Sequence, residues 1–281
     1  MSASWNMNKL IGKVDVALIV LDSLRYDVAQ TEWSTCRTPN LAAYLPPGGW
    51  EKRHSPGSFT YAAHQAFFAG FLPTPADPTS HKERLFATRF AGSETTGNNT
   101  FQVDTSDLVT GLRRHGYHTI CSGGVGFFNQ QTELSSVFPK FFDEAHWSEQ
   151  TSVIAPDSTR HQVELAQQRA SAIDSGKRIF WYFNLAAIHQ PNKHYIEGKN
   201  KDDIETHAAA LRYVDTHITA LMNTLRKRND LFILLGSDHG VLYGEEGFTG
   251  HRIGHKHVYT VPWAEFLLEQ NGQVHHTPLD E

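Results

Sequence analysis

The sequence predicts an α/β fold in which one mostly parallel sheet is sandwiched between helices, as a single domain over residues 1–281. The chain has 281 residues and 40% of them are hydrophobic, so one large core is possible. Apolar runs of strand length alternate along the chain with helical patterns. This alternation indicates βαβ units, which build a parallel sheet covered on both faces.

Four segments are predicted to form the buried strands of this sheet. Three of them are near-continuous apolar runs, which is typical of strands that have helices on both faces. The segments are 14–22, 117–124, 178–186 and 231–238.

Helical patterns lie between these strands. Residues 202–230 form the clearest one, with apolar residues at helical spacing, acids early and bases late, which suits the helix dipole. Residues 105–116 have a polar cap, an apolar stripe and a terminating glycine. A short helix is also predicted from Tyr61 to Ala69.

Charge and cysteine content exclude some classes of protein. The net charge of −5 argues against a dedicated nucleic-acid binder. Cys36 and Cys121 form no paired motif, which fits a reducing compartment. The apolar run at 14–21 is too short and too acidic for a signal sequence or a membrane span. We therefore expect a cytoplasmic protein with no membrane partner; its oligomeric state is left open.

Polar side chains follow the predicted strands, and parallel strands end at one edge of a sheet. Asp22 follows the first strand, Asp238 and His239 end the last, and the third leads to Asn184 and His189. Carboxylates and imidazoles suit a divalent transition metal. Taken singly, an aspartate after a strand is usually a turn former, but acids after two strands of one sheet favour a metal site.

A hydroxyl at the start of the predicted helix 61–69 is a candidate nucleophile. Ser58 or Thr60 would face free backbone N–H groups and the positive end of the helix dipole there, an environment that stabilises an anion. His64 lies four residues after Thr60, on the same helical face. The alternative is that Thr60 only caps the helix.

Seven segments in order resemble the alkaline phosphatase superfamily, and within it the sulfatase-like branch. The resemblance covers most of the chain and lies in "VALIVLDSLRYDVA", "TPNLAAYLPPGG", "SPGSFTYAAHQAFFAGFLPT", "GLRRHGYHTICSGG", "FNLAAIHQPNKHY", "AALRYVDTHITALMNTL" and "FILLGSDHGVLYGEEGFTGH" with "VPW".

The resemblance implies a nucleophile and a metal site. It aligns Thr60 with the family nucleophile and His64 with the arginine that follows it in sulfatases, and Ser58 stays the fallback. Sulfatases carry a cysteine or serine there, so a threonine favours phosphoryl chemistry. The implied metal ligands are Asp22, Thr60, Asp238 and His239, which would bind one or two divalent ions, with Zn²⁺ or Mn²⁺ expected.

The chain departs from the family pattern at two places. Sulfatases have paired aspartates after the first strand, whereas Asp22 is followed by Ser23, so a calcium site is not favoured. The family's lysine after "GYxT" is replaced by Gly124.

Several histidines are candidates for a second metal site or for contacts with the phosphoryl group. Asn184 and His189 come from the third strand, and three more imidazoles lie in "GHRIGHKHVY". His251 matches the family position best and His255 next, with His257 also available. The predicted catalytic set is therefore Thr60, His64, His189, His251 and His255.

The chain ends soon after "VPW", so no large C-terminal subdomain is expected. Segments 71–100 and 125–160 are predicted to be excursions over the active face. Their aromatic residues would line a pocket or cap the core, and both alternatives stay open; these are Phe127, Phe128, Phe141, Phe142 and Trp147.

The resemblance implies a metal-dependent hydrolase of phosphate mono- or diesters that works through a covalent threonine intermediate, with phosphonate or sulfate esters as related substrates. The same site would serve a transferase that passes a phosphoryl or headgroup to an alcohol. A family member that binds metal without turnover is the third hypothesis. In each enzymatic case the partner is a small-molecule ester.

Overall fold

The computed structural model describes residues 5–70 and 107–278, together with the backbone of 84–86 and 100–102. The predicted excursion 71–100 therefore lies almost wholly outside the described residues. None of the helices in the described ranges combines the length and apolar character that a membrane-spanning helix requires.

The described residues form alternating strands and helices, as the sequence predicts. The strands are β1 (Asp15–Leu21), β2 (Glu51–His54), β3 (Arg84–Phe86), β4 (Thr100–Gln102), β5 (His118–Ser122), β6 (Glu144–His146), β7 (Ile179–Leu185), β8 (Leu231–Gly236), β9 (Leu242–Tyr243), β10 (Thr249–Gly250), β11 (Thr260–Leu268) and β12 (Val274–His275). The helices are α1 (Met7–Leu10), α2 (Tyr26–Ser34), α3 (Pro39–Ala42), α4 (Thr60–Ala69), α5 (Leu108–Arg114), α6 (Ser158–Ala172), α7 (Ile204–Arg226) and α8 (Lys256–Tyr259).

One mixed sheet organises these elements, in the order β12-β11-β8-β1-β7-β5-β6, with β2 paired to β11. The five strands from β8 to β6 are parallel, and β11 runs antiparallel to β8. The four strands predicted from sequence are β1, β5, β7 and β8, which are adjacent in this sheet. The predicted α/β class with a mostly parallel sheet is confirmed.

Both faces of the sheet are covered, which explains the apolar runs. Alternate residues of β1 enter two different core clusters: Ala17 and Ile19 pack on the face covered by α7, and Val16 and Leu18 on the face that includes Phe68 of α4. Helix α7 presents an apolar stripe because Leu211, Val214, Ile218, Leu221 and Leu225 are all buried.

The predicted excursion 125–160 contributes to the second core cluster. It contains three short 3₁₀ turns before β6 and a fourth after it. Phe128 and Phe142 are buried in the core beneath α4, whereas Phe127, Phe141 and Trp147 are half-buried at its border. For Phe128 and Phe142, capping of the core is therefore the alternative that the packing favours.

Candidate metal centre

The strand ends bring three predicted ligands together. Strands β1 and β8 are parallel neighbours with Val20 opposite Gly236, so Asp22 and the Asp238–His239 pair leave the sheet at the same edge. All three side chains are fully buried. Their ligand atoms lie within 4.8 Å of one another, and they are the one cluster of this kind among the described residues.

Thr60 completes this cluster from the start of α4. Its Oγ1 donates to Asp22 Oδ2 over 3.4 Å and lies 3.3 Å from His239 Nε2. Phe59, with extended backbone, is the N-cap residue of α4, and its side chain makes no capping bond. The Thr60 hydroxyl therefore faces the Asp22 carboxylate and the His239 imidazole and does not cap the helix.

The loop before Thr60 packs closely against the helix and against the metal loop, which is the segment 237–241 that follows β8 and carries Asp238 and His239. A Cβ at Gly57 would lie 2.5 Å from Ala63 N, so only glycine allows this approach. The Ser55 hydroxyl donates both to Gly57 O and to the carbonyl oxygen of Asp238. These contacts fix the position of the nucleophile loop relative to the end of β8.

The two carboxylates differ in their electrostatic surroundings. Burial and the neighbouring Asp22 charge raise the pKa of Asp238 well above its ordinary value. Burial also acts to raise the pKa of Asp22, but His189, His239 and a 2.7 Å hydrogen bond from Asn184 outweigh it and lower that pKa. Asp22 is therefore the carboxylate that stays ionised, and Asp238 needs a proton or a cation beside it.

The residues present fit a divalent metal ion. Asp238 Oδ2 is buried and has no hydrogen-bond partner among the described residues, which is unusual for a carboxylate oxygen. His239 Nδ1 lies 2.9 Å from Gly240 O, and donation to that carbonyl leaves Nε2 free as a ligand atom. Burial lowers the pKa of His239, so the ring is neutral, as metal binding requires. Two carboxylates, an imidazole and a hydroxyl suit Zn²⁺ or Mn²⁺.

Two of the predicted catalytic histidines lie beside this cluster. The His251 ring centroid is 4.6 Å from that of His239 and 5.7 Å from that of His189. Burial, with the neighbouring His239 and His189, lowers the pKa of His251 to about 4. The three imidazoles thus form one group next to the Thr60 hydroxyl, and the His251 ring is neutral near pH 7.

His64 lies behind the nucleophile, with both ring nitrogens engaged by the protein. Its Nδ1 is 2.7 Å from the Thr60 carbonyl oxygen and 3.8 Å from Asp238 Oδ2, and its Nε2 accepts from the Tyr182 hydroxyl. Burial lowers its pKa to about 4, so the ring is neutral. These contacts suit a residue that positions Thr60 from inside the core.

His255 and His257 are held in a different group of side chains. His255 is the N-cap residue of α8, and its Nδ1 accepts from the His257 backbone N–H. Its Nε2 lies 3.6 Å from Glu246, while His257 lies 3.4 Å from Asp27. Among the described residues, no contact joins either ring to the metal cluster. The predicted catalytic role of His255 stays a prediction.

Two further groups orient the carboxylates: Ser23, which sequence reasoning did not propose for the site, and Asn184, which it proposed for a second metal site or a phosphoryl contact. Ser23 donates its hydroxyl to Asp22 Oδ1 over 2.9 Å and its backbone N–H to Asp238 Oδ1 over 3.1 Å. Asn184 donates to Asp22 and accepts from the backbone N–H of Gly124 and Val125. The one available signal was their position at strand ends, which does not reveal hydrogen-bond partners.

Comparison with known proteins agrees with this geometry. The sequence profile of the sulfatase family matches residues 15–266. The chain belongs to the sulfatase family. Within this sulfatase-family domain, the match runs from the first residue of β1 into β11 and so includes every residue of the metal cluster. A comparison with curated protein sequences gave no significant match.

Solved structures share the fold of this sulfatase-family chain at low sequence identity. The soluble domain of lipooligosaccharide phosphoethanolamine transferase A from Neisseria meningitidis has a TM-score of 0.60 at 16% identity, over 91% of this chain and 77% of that one. The lipoteichoic acid synthase LtaP from Listeria monocytogenes has a TM-score of 0.59 at 12% identity, over 99% and 70%. The periplasmic domain of EcEptC from Escherichia coli, solved as a zinc complex, has a TM-score of 0.57 at 14% identity, over 89% and 72%.

The location given for the EcEptC domain differs from the location expected for this chain. That domain is described as periplasmic, whereas the sequence of this sulfatase-family chain led us to expect the cytoplasm. At this level of identity the likeness concerns the fold alone. The cytoplasmic location therefore stays a prediction without support from these structures.

Proposed function

We propose that this protein transfers the phosphoryl group of a small phosphate ester to the Thr60 hydroxyl and then to water, as a metal-dependent hydrolase of phosphate mono- or diesters. The observation that carries the proposal is the position of Thr60 Oγ1, which contacts both Asp22 and His239. The cluster also contains Asp238 Oδ2, which has no hydrogen-bond partner among the described residues. A hydroxyl placed against metal-type ligands is the arrangement that an activated nucleophile needs.

Four side chains would hold the cation: Asp22, Thr60, Asp238 and His239. When bound, it would supply positive charge that lowers the pKa of the Thr60 hydroxyl and offsets charge on a phosphoryl oxygen. Asn184 and Ser23 keep the Asp22 carboxylate oriented for this task through their hydrogen bonds.

The proposed reaction has two halves. Thr60 Oγ1 forms a bond to phosphorus while the bond from phosphorus to the leaving alcohol oxygen breaks; the hydroxyl proton passes to solvent, and the leaving oxygen gains one. Water then attacks phosphorus and the bond from phosphorus to Thr60 Oγ1 breaks, which restores the hydroxyl and releases phosphate from a monoester substrate or a phosphate monoester from a diester substrate. His251, neutral near pH 7, is proposed to donate an N–H to the phosphoryl group, with His189 beside it as the donor to the leaving oxygen.

The second candidate function is a transferase, in which an alcohol replaces water in the second half. The similar structures from Neisseria and Listeria favour it, because those proteins are named as a phosphoethanolamine transferase and a lipoteichoic acid synthase. The chemistry at Thr60 is the same in both candidates. They differ only in which acceptor reaches the phosphothreonine.

A panel of esters tests the proposal. Protein loaded with Zn²⁺ or Mn²⁺ is assayed with nitrophenyl phosphate, bis-nitrophenyl phosphate, phenylphosphonate esters and nitrophenyl sulfate. We expect turnover of a phosphate ester that Thr60→Ala abolishes, whereas Ser58→Ala, the matched change two residues earlier, retains it. Full activity in Thr60→Ala would overturn the assignment of the nucleophile.

The acceptor is tested by product analysis. Glycerol or ethanolamine is added to the working assay, and phosphorylated alcohol is measured against free phosphate. A hydrolase releases phosphate as the main product at all alcohol concentrations. Phosphorylated alcohol as the main product would instead support the transferase.

A further inference from the structure

Arg252 places an exposed guanidinium over Phe59, the residue before the proposed nucleophile. It follows His251 in sequence, and its backbone N–H donates to Ser58 O over 2.8 Å, two residues before Thr60. Its Cζ lies 5.0 Å from the centre of the Phe59 ring, within the range of a cation–π contact. The side chain is thus held over the residue that immediately precedes Thr60.

The charge of Arg252 is not neutralised within the described part of the chain. No carboxylate there forms an ion pair with it. Burial is the main reason for the lowered pKa values of His239 and His251, and the Arg252 charge lowers both further. The positive charge is therefore felt at the metal cluster and stays available to an anion.

The backbone of Arg252 adopts a conformation that favours glycine. Its φ is +72°, in the left-handed region, which is unfavourable for a residue with a side chain. A side chain kept at such a position, next to a site, is a reason to look for its use. Here the left-handed turn coincides with a guanidinium lying over Phe59.

We propose that Arg252 is a specificity-determining residue that pairs with the second negative charge of a phosphate monoester and so selects monoesters over diesters. This rests on the proposed function. A phosphate monoester is a dianion above its second pKa of about 6, whereas a diester carries one charge. A guanidinium pairs well with two phosphoryl oxygens, so the additional charge is where its contribution is largest.

The kinetic test uses variants that separate charge from backbone. Arg252→Gly removes the charge and relieves the left-handed strain, and Arg252→Lys keeps the charge. Lys256→Met is the matched control. Lys256 is another exposed cation of the same segment, and within the described residues it makes no contact with the metal cluster. We expect Arg252→Gly to lower kcat/KM for the monoester about 10- to 100-fold and for the diester less than about threefold, with unchanged metal content.

The remaining variants complete the expected pattern. Arg252→Lys should recover part of the monoester activity, and Lys256→Met should keep the wild-type ratio of the two esters. The proposal is overturned if Arg252→Gly lowers both esters equally, or leaves the monoester unchanged.

A binding measurement keeps this inference separate from the proposed function. Titration of inorganic phosphate into metal-loaded protein should give a dissociation constant about 10-fold weaker for Arg252→Gly than for wild type or Lys256→Met. If no ester is turned over but phosphate binding weakens in this way, the proposed function fails and Arg252 stands. If esters are turned over but phosphate affinity is the same in all variants, Arg252 is not the anion contact.

Discussion

At the scale of single residues, the metal cluster contains a carboxylate oxygen that has no hydrogen-bond partner in the described part of the chain. Asp238 Oδ2 is buried, and the nearby Asp22 charge opposes ionisation of Asp238. Without a cation, this arrangement costs free energy of folding, since a buried charge lacks compensation. With a cation, the same oxygen becomes a ligand, so metal affinity and stability of the free protein oppose each other here.

Asp238→Asn tests this opposition. The amide keeps the shape and removes the charge, so we expect metal affinity to fall by about 100-fold or more and the melting temperature of the metal-free protein to rise. Calorimetric titration with Zn²⁺ and thermal unfolding measure the two effects. A variant that retains one equivalent of metal at wild-type affinity would show that Asp238 is not a ligand.

Tyr182→Phe tests the positioning role of His64. The substitution removes the hydroxyl that donates to His64 Nε2 and keeps the packed ring. Because a lost hydrogen bond of this kind is worth about 1 kcal/mol, we expect kcat to fall about three- to tenfold while KM and metal content change little. An unchanged kcat would mean that the Tyr182–His64 contact does not position Thr60.

Residue types at strand ends were enough to predict that Asp22, Asp238 and His239 lie together. The helix start gave Ser58 and Thr60 as candidate nucleophiles, and the resemblance selected Thr60. The roles of Ser23 and His64 were not predictable in this way. Ser23 bridges two carboxylates that are 216 residues apart in numbering, Asp22 and Asp238, through contacts that exist only after folding. His64 was aligned with an arginine and placed in the predicted catalytic set, and that role stays a prediction; its ring nitrogens lie near Thr60 O and the Tyr182 hydroxyl.

At the scale of elements, a group of polar side chains that includes the buried Arg25 and His207 joins the metal loop to α7. The Arg25 guanidinium pairs with Asp27 and Glu245, and the Arg25 backbone N–H donates to His207 Nε2. His207 Nδ1 contacts the Tyr243 hydroxyl, on β9 just after the metal loop. These bonds fix the segment that follows Asp238 and His239 against the start of α7.

His207→Gln tests this group through the pH dependence of stability. Burial, and secondarily the Arg25 charge, lowers the pKa of His207 from 6.5 to about 3. The folded state therefore binds this proton less well than the unfolded state, and the stability contributed by neutral His207 is lost as pH falls below 6.5. Glutamine does not titrate and lacks this loss.

The expected result concerns the difference in unfolding free energy between wild type and His207→Gln. Wild type should be the more stable protein near neutral pH, and its advantage should shrink by about 1.4 kcal/mol for each pH unit below 6.5. Denaturant unfolding at several pH values measures it. An advantage that stays constant with pH would contradict the low pKa.

Two of the elements that the sequence analysis did not predict, β11 and α6, were missed for identifiable reasons. Strand β11 contains Pro262, and proline within an apolar run argues against a strand. In the structure Pro262 lies opposite Lys52 of the short strand β2, one residue before β11 begins to pair with β8. Helix α6 has few apolar residues, and a polar residue, Gln162, is among those it buries, so its helical periodicity is weak.

At the scale of the whole molecule, the sheet has a buried acid at each end of β1. Asp22 lies at the carboxyl edge with the metal cluster, and Asp15 begins the strand at the opposite edge. Burial raises the pKa of Asp15 to about 6. Among the described residues, Asp15 Oδ2 has no hydrogen-bond partner, and Arg228 Nε lies 3.9 Å from it. The sequence shows two similar aspartates, and only the direction of the strand assigns one to the site.

Asp15→Asn should separate stability from activity. In folded wild type the pKa of Asp15 is about 6, against its ordinary value of 3.8. The loss of stability caused by its ionisation is therefore absent below pH 3.8, grows as pH rises and is complete above pH 6. The penalty corresponds to up to about 3 kcal/mol. We expect the variant to be more stable by up to this amount near neutral pH and to match wild type in acid.

The activity of Asp15→Asn should equal that of wild type, because a strand of seven residues puts roughly 23 Å between the two edges. Chemical unfolding and ester turnover measure the two properties on the same preparation. A loss of turnover without a change in stability would mean that the two edges of the sheet are coupled.

If Thr60 carries the phosphoryl group during turnover, a rapid acid quench should trap that group on the Thr60 side chain. Metal-loaded protein is mixed with the preferred phosphate ester, quenched in acid within the first turnover, digested and mapped by mass spectrometry, with Thr60→Ala and Ser58→Ala in parallel. We predict one phosphoryl group on Thr60 in wild type and in Ser58→Ala, and none in Thr60→Ala. Phosphate on Ser58, or full turnover by Thr60→Ala with no trapped group, would contradict the account.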